Sequence, residues 1–400
     1  MTSRERVRAV INHKQPDRVP NGLGGCETVG LHVLLYEKLQ TILGINQRPP
    51  RIDTFMSNAV FEMDAIHAME GDIILVASPK MCRADLHKPG WESQWKALTV
   101  WGRDMLIPNK DELIIQKNGS VLWKTRGNAI CRAGSYYFDW LEQTDLMAAY
   151  DYPNPDDINP PHDISDDLLR SLEETAEFLY NETDLSLSMG EILPDLQYMP
   201  GGLVRGMMFL AEYPEVMKEI LSKFVDAALA QLRLLDQAFG KYVDIMNIAH
   251  DLGDNRGLLY GMPLFRQVYQ PLYKGLFSEW KKISNMKICL HTCGAVRDAL
   301  GDLVACGLDI YNPVQISGAG MDPAALKEKY GSKLVFWGGS YDTQLNRSTD
   351  RYEDVYQRCY HNIKTLGSGG GYIMGGVHNL PPEVPEWHLR AILDAWHDAR

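Results

Sequence analysis

The sequence predicts an α/β chain folded as a (β/α)8 TIM barrel, with an antiparallel β-meander inserted near residues 86–139. Three observations lead there. After Asp163, short apolar runs alternate steadily with segments of helical periodicity, the connections between them are brief, and the first strand is not followed by a dinucleotide-type glycine fingerprint.

The elements follow in order. Arg4 to His13 mixes charged and apolar residues at helical spacing and stops at Pro16-Asp17-Arg18-Val19-Pro20. Arg18 to Gly25 is a short first strand ending in glycines. Helices are expected from about Val29 to Leu43, where Leu31, Leu34, Leu35, Leu39 and Ile42 share a face, and from about Asp53 to Glu70. Asp72-Ile73-Ile74-Leu75-Val76 reads as a strand buried on both faces. Between Leu86 and Asp139 short alternating pieces (Leu98 to Trp101, Leu113 to Gln116, Val121 to Lys124, Ser135 to Phe138) are separated by turn signals such as Lys117-Asn118-Gly119, which marks the meander. Pro153 to Pro161 is a connector. Beyond it the expected strands are Leu185 to Met189, Tyr242 to Ile248, Lys287 to His291, Ile310 to Asn312, Leu334 to Gly338 and Gly371 to Gly375, with helices between them and a last helix from Pro385 to Ala399. We read residues 1–400 as one barrel domain.

Composition bounds the function. The chain has 400 residues, 45% hydrophobic and 23% charged, with 40 Lys and Arg against 52 Asp and Glu, a net charge of −12. That suits a globular protein with a sizeable core, and no basic stretch offers a phosphate track for nucleic acid. No run reaches the ~18 apolar residues of a membrane span, and charges occupy the N-terminus where a signal peptide would be apolar. Seven scattered cysteines lack framework spacing, so reduced thiols and a cytoplasmic location are expected.

Barrel chemistry gathers at the C-terminal ends of strands. The ends here are Gly24-Gly25-Cys26-Glu27, Ser188-Met189-Gly190-Glu191, Asn247 through Gly253 with His250 and Asp251, His291-Thr292-Cys293-Gly294, Asn312-Pro313-Val314-Gln315, Gly339 through Gln344 with Tyr341 and Asp342, and Gly375 through Asn379 with His378. Residues two apart on a strand point to one side, so the His291 imidazole and the Cys293 thiol can converge on one ion. Nitrogen and sulfur donors suit zinc, and His378 is the candidate third ligand; a buried structural pair is the other reading of His-x-Cys. Cys289 and Cys306 are expected to be packing residues. Glu27, Asp251 and Asp342 are candidate acids or bases, with loop hydrogen bonding as the plain alternative. Glu191, His250, Asn312, Gln315, Tyr341 and Gln344 are candidate substrate-binding groups. Asp85-Leu86-His87-Lys88-Pro89-Gly90 matches a corrinoid-ligating Asp-x-His-x-x-Gly pattern, but it opens the meander and is read as coincidence. Gly367 to Gly371 precedes a strand and is read as a tight turn, without the helix N-terminus that a phosphate loop needs.

Several segments together carry a resemblance. Arg4-Glu5-Arg6-Val7, Pro16 to Pro20, His291-Thr292-Cys293-Gly294, Gly338-Gly339 with Asp342-Thr343-Gln344, and His378-Asn379-Leu380-Pro381-Pro382-Glu383-Val384-Pro385 resemble the uroporphyrinogen decarboxylase superfamily over nearly the whole chain. The resemblance implies a (β/α)8 barrel and one of two chemistries: cofactor-free decarboxylation of tetrapyrrole acetates, or zinc-dependent methyl transfer to or from the cobalt of a separate corrinoid protein. The decarboxylases carry an arginine-rich segment after strand one. Here Gly24 to Gly30 contains no arginine, which disfavours a polyanionic tetrapyrrole. The methyltransferase branch has His-x-Cys and a third zinc ligand, usually cysteine, after the last strand; this chain departs there with His378. The expected function is therefore a zinc methyltransferase acting with a methylcorrinoid partner protein on a small methyl donor or acceptor, such as an aryl methyl ether (O-demethylation), and the resemblance suggests a homodimer. A decarboxylase or other lyase, and a non-catalytic binding protein on the same barrel, are the alternatives.

Overall fold

The computed structural model describes residues 1–80, 82, 85–126, 129–139 and 151–400. Its centre is a curled parallel sheet of seven strands paired in chain order: β1 (Ile73–Leu75), β2 (Ser186–Met189), β3 (Ile245–Ala249), β4 (Lys287–His291), β5 (Ile310–Asn312), β6 (Val335–Trp337) and β7 (Tyr372–Ile373). Residues 20–22 span the gap between the two edge strands. Met374 N–H donates to the Pro20 carbonyl at 2.9 Å, Gly22 N–H to the Met374 carbonyl at 2.9 Å, and Asp72 N–H to the Asn21 carbonyl at 2.8 Å. The expected first strand is thus only a bridge at Asn21. Pro20 brings no N–H, so a longer ladder cannot form there.

That closure is held by buried charge. Asp72 is wholly buried just before β1. Its carboxylate accepts Asn21 N–H at 2.7 Å, Arg6 Nη1 at 2.6 Å and Arg18 Nη1 at 2.6 Å. Arg6 comes from the N-terminal helix Ser3–Val10, where Thr2 and Glu5 form a capping box. Its guanidinium also grips Asp17 through two hydrogen bonds of 2.6 and 2.9 Å, and this holds the Asp17 carboxyl well below its usual range. The Pro16 to Pro20 motif is therefore a charged bracket that pins the first strand to β1.

Helices cover the outside. Pro214–Phe239 buries Met217, Ile220, Leu221, Ala228, Leu232, Leu235 and Phe239, recurrent three- and four-residue steps that make one apolar stripe. Each such leucine contributes about 1.5–3 kcal/mol by leaving water. Ile288, Cys289 and Leu290 in β4 are all buried, as expected where a parallel sheet is covered on both faces. Among the described residues no helix is long and apolar enough to cross a membrane.

Three local expectations need correction. The helix expected over Asp53–Glu70 is confined to Met63–Ala68. Ahead of it Ile52–Asp53 pairs antiparallel with Asn58–Ala59, turned by Asp53, whose carboxylate accepts Phe55 N–H at 2.9 Å, and by Ser57 at φ +56°. The helix expected from Val29 begins at Val33, because His32 Nδ1 caps it by accepting Leu34 N–H at 3.2 Å. In the meander, Trp95–Val100 pairs with Arg103–Pro108, and Leu113–Ile115, Val121–Trp123 and Ala129–Cys131 form a second antiparallel unit. Ser135 to Phe138 is not a strand; only Asp139 bridges back to Ile130. Gly369, Gly370 and Gly371 all take positive φ between helix and β7, the turn the sequence indicates.

Replacing Asp72 by Ala strands two arginines against a buried wall. The expected cost is about 3–5 kcal/mol, read as a fall in the urea midpoint. Asp17→Ala, at an exposed carboxylate, should cost far less. Equal shifts for the two variants would show that Asp72 does not hold the barrel closed.

Candidate metal centre

The ladder fixes where the strand ends meet. Parallel pairing sets Ala249 beside His291 and His291 beside Asn312. His291 ends β4 and is buried, and two residues on, Cys293 returns to the same side. Cys293 Sγ lies 3.4 Å from His291 Nε2. His378, in the turn after β7, brings its ring centroid to 5.1 Å from that of His291, edge to face. One donor atom from each of His291, Cys293 and His378 lies within 4.8 Å of the other two.

Neighbouring groups orient these donors. Thr28 Oγ1 donates to Asn312 Oδ1 at 2.9 Å, and His291 Nδ1 lies 2.9 Å from the same oxygen. An amide oxygen can only accept, so the His291 proton sits on Nδ1 and the lone pair of Nε2 faces Cys293. Asp251 Oδ1 accepts Cys293 N–H at 2.8 Å and stands 3.8 Å from His291 Nε2. Gly294 follows at φ +92°, and a Cβ there would lie 2.3 Å from the Gly253 backbone, so only glycine admits the turn that returns Cys293 to the mouth. His378 is itself at φ +61°, and its Nδ1 accepts Asn379 N–H at 2.8 Å. That places its ring proton on Nε2, so ligation by His378 requires the hydrogen bond to Asn379 to be given up.

The electrostatics suit a cation. Burial lowers both imidazoles, His378 to about 3 with His291 beside it, so both stay neutral; the Nε2 lone pair of His291 is available, while that of His378 Nδ1 is engaged by Asn379 N–H. Burial and the adjacent Asp251 push the Cys293 thiol well above its ordinary range. A thiolate here needs a counter-charge, and a soft divalent ion held by two nitrogens and one sulfur supplies it. The donor set therefore fits zinc.

The remaining sequence candidates fall into two groups. Glu27 and Glu191 meet on one side of the mouth: Glu27 Oε1 accepts the N–H of Glu191 and, at 3.0 Å, the hydroxyl of Ser78. Asp251 adjoins the His–Cys pair. Asn312 orients His291, and Gln315 Oε1 accepts Gly294 N–H at 2.7 Å while its amide donates to Asn255 at 2.6 Å. Asn255 in turn donates to Gln344 at 2.8 Å, so these amides brace the rim. The others point elsewhere. His250 is buried with Tyr273 Oη 2.7 Å from Nδ1 and Tyr260 Oη 3.2 Å from Nε2, and burial lowers it to about 4. Tyr341 Oη lies 2.9 Å from His388 Nδ1. The Asp342 carboxylate accepts Ser317 N–H at 3.1 Å and Gln344 N–H at 2.8 Å, the work of a loop-holding group. Cys289 and Cys306 are buried, and His87 is buried with its imidazole lowered to about 3 by burial and Arg51. Sequence reasoning gave no role to Thr28 and Asn379, though both lie in strand-end segments it named, and it missed Ser78. Ser78 follows β1 (Ile73–Leu75), a strand end of the kind where barrel chemistry gathers, and that position is its signal in the sequence.

The comparisons with known proteins agree on the framework. A sequence profile described as uroporphyrinogen decarboxylase (URO-D) matches residues 156–399. A search of curated protein sequences returned no match. Among solved structures, the fold is similar to that of a protein described as "methyltransferase from Methanosarcina mazei", at TM-score 0.54 and 16% identity, covering 100% of this chain and 99% of that one.

Two measurements check the centre. A competition titration with a chromophoric chelator should show one zinc per chain, lost in His291→Ala and Cys293→Ala, weakened less in His378→Ala, and weakened about 10–100-fold in Asn312→Ala. Because both imidazoles are already neutral, loading at pH 7 should release about one proton per zinc, from Cys293. Release of none would remove Cys293 from the ligand set.

Proposed function

The chain belongs to the uroporphyrinogen decarboxylase family, and from that membership we propose that it is a zinc-dependent methyltransferase moving a methyl group between a small substrate and the cobalt of a separate corrinoid protein. The observation that carries the reading is the convergence of His291, Cys293 and His378 at the barrel mouth. Bound there, zinc would supply a Lewis acid for the heteroatom that carries or accepts the methyl group. Asn312 keeps Nε2 of His291 bare, Asp251 fixes the Cys293 backbone, and the Gln315–Asn255–Gln344 amides brace the rim around them. The nitrogen-rich donor set favours an oxygen-linked methyl group, an aryl methyl ether being the representative donor. A cytoplasmic homodimer with the corrinoid partner docking over the mouth completes the proposal.

The mouth argues against the tetrapyrrole substrate of the decarboxylases. Glu27 and Asp251 stand at strand ends of the mouth, with no arginine in the Gly24 to Gly30 segment. A polyanion would meet like charge in a partly dry site, where repulsion is stronger than in water. The likeness to a solved methyltransferase adds support at the level of the fold.

Zinc-loaded protein incubated with free cob(I)alamin and a panel of aryl methyl ethers should form methylcobalamin and the corresponding phenol. Removing zinc, or Cys293→Ala, should lower the rate about 10²–10³-fold, since a Lewis acid contributes several kcal/mol. Carbon dioxide release from a carboxylic acid by metal-free protein would instead establish the decarboxylase reading.

A further inference from the structure

Glu27 and Glu191 form a pair of carboxyls at the mouth that zinc ligation does not use. Glu27 is held from three sides: its Oε1 accepts the Glu191 N–H and the Ser78 hydroxyl, and its main-chain carbonyl accepts Asn58 Nδ2 at 3.1 Å. Room for it exists only because residue 190 is glycine, where a Cβ would lie 2.1 Å from Glu27 Oε1. Glu191 is treated differently. It is 6% exposed, and among the described residues no hydrogen-bond donor meets its carboxylate. A largely buried carboxylate with no donor, beside one that has two, is the costlier of the two to ionise. The donors therefore favour the ionised form at Glu27 and the protonated form at Glu191.

We propose that Glu27 and Glu191 share one proton at neutral pH, and that Glu191 hands it to the oxygen that loses its methyl group. Glu27 is a positioning residue, and Glu191 is the catalytic acid. The donor role rests on the methyl-transfer reading; the shared proton does not. In the step, the O–CH3 bond breaks with its electron pair remaining on oxygen. The methyl carbon accepts the electron pair of the partner's cobalt(I), and the Glu191 proton neutralises the oxygen, giving the alcohol or phenol and a Glu191 carboxylate. Solvent then restores the proton. A cavity of about 40 Å³ bounded by Glu27, Asn58 and Ser78 has room for water beside Glu27.

The charged groups that act on Glu191 are Glu27, Asp195 and Asp251, which favour its protonated form, and Lys80, which opposes them; burial is the largest influence, and together they raise it to about 8. Burial raises Glu27 as well. Donation should therefore be available below pH 8 and fade as pH rises through that value.

The test combines infrared-detected titration of the zinc-loaded protein with leaving-group dependence. Wild type should show a carboxylic acid band persisting at pH 7 and disappearing near pH 8. The band should be absent at pH 7 in Glu191→Gln, and in Glu27→Gln it should titrate at lower pH, because the neighbouring charge is gone. Glu191→Asp guards against a folding defect and should restore a titrating acid. With free cob(I)alamin as acceptor, Glu191→Gln should slow a dialkyl ether at least 10-fold more than a nitro-substituted anisole, whose phenolate leaves without a proton. A band that survives Glu191→Gln, or no such band in wild type, overturns the shared proton. Equal slowing of both ethers overturns the donor role. Methyl transfer absent from every variant, with the titration intact, would count against the methyltransferase reading while leaving the shared proton standing.

Discussion

One hydrogen bond organises the mouth of this barrel: the Nδ1–H of His291 to Oδ1 of Asn312, made across the ladder between β4 and β5. Because the two residues are register partners, the imidazole needs no loop to hold it. Because the same oxygen also accepts Thr28 Oγ1, the segment after the first strand is tied to the opposite side of the sheet. The tautomer of His291, the direction of its free nitrogen and the seat of Thr28 all follow from a single amide oxygen. Cys293 and Asp251 are then placed relative to that nitrogen by the tight Gly253–Gly294 contact.

Burial gives these groups their character. Two imidazoles stay neutral, a thiol resists ionisation, and the Glu191 carboxyl is pushed toward its protonated form, because charge is expensive away from water. Such a donor set suits a divalent ion, which would displace one proton, from Cys293. Glu27 Oε1 is occupied by the Ser78 hydroxyl and the Glu191 N–H. The mouth thus divides into the candidate metal ligands around His291 and the two carboxyls of Glu27 and Glu191.

Much of this arrangement was legible from residue order. The strand cores declared themselves as β-branched runs such as Ile73-Ile74-Leu75, and the helices as apolar stripes, since both periods are local properties of the chain. His291 and Cys293 were legible as a pair because a strand's period of two is rigid. The Asp53 to Ser57 turn was not. There a side-chain-capped turn and a short antiparallel pairing override a helical pattern, and the segment is held from a distance, Val33 N–H donating to the Ser57 carbonyl and Ala59 N–H to the Leu31 carbonyl, each at 2.9 Å. His250 and Tyr341 end strands like the others, yet each contacts residues of the surrounding helices, Tyr273 and His388 respectively.

By itself the sequence determined the order of strands and helices, the strand-end location of the chemistry and the donor types available there, because these depend on spacing along one chain. Only the tertiary structure decided that His378 reaches His291, that Asn312 serves His291, that Asp342 is occupied by loop N–H groups, and that Glu191 is left without a donor. Past the last ladder bond a side chain's direction is set by contacts from distant segments, and those contacts exist only when the barrel has closed.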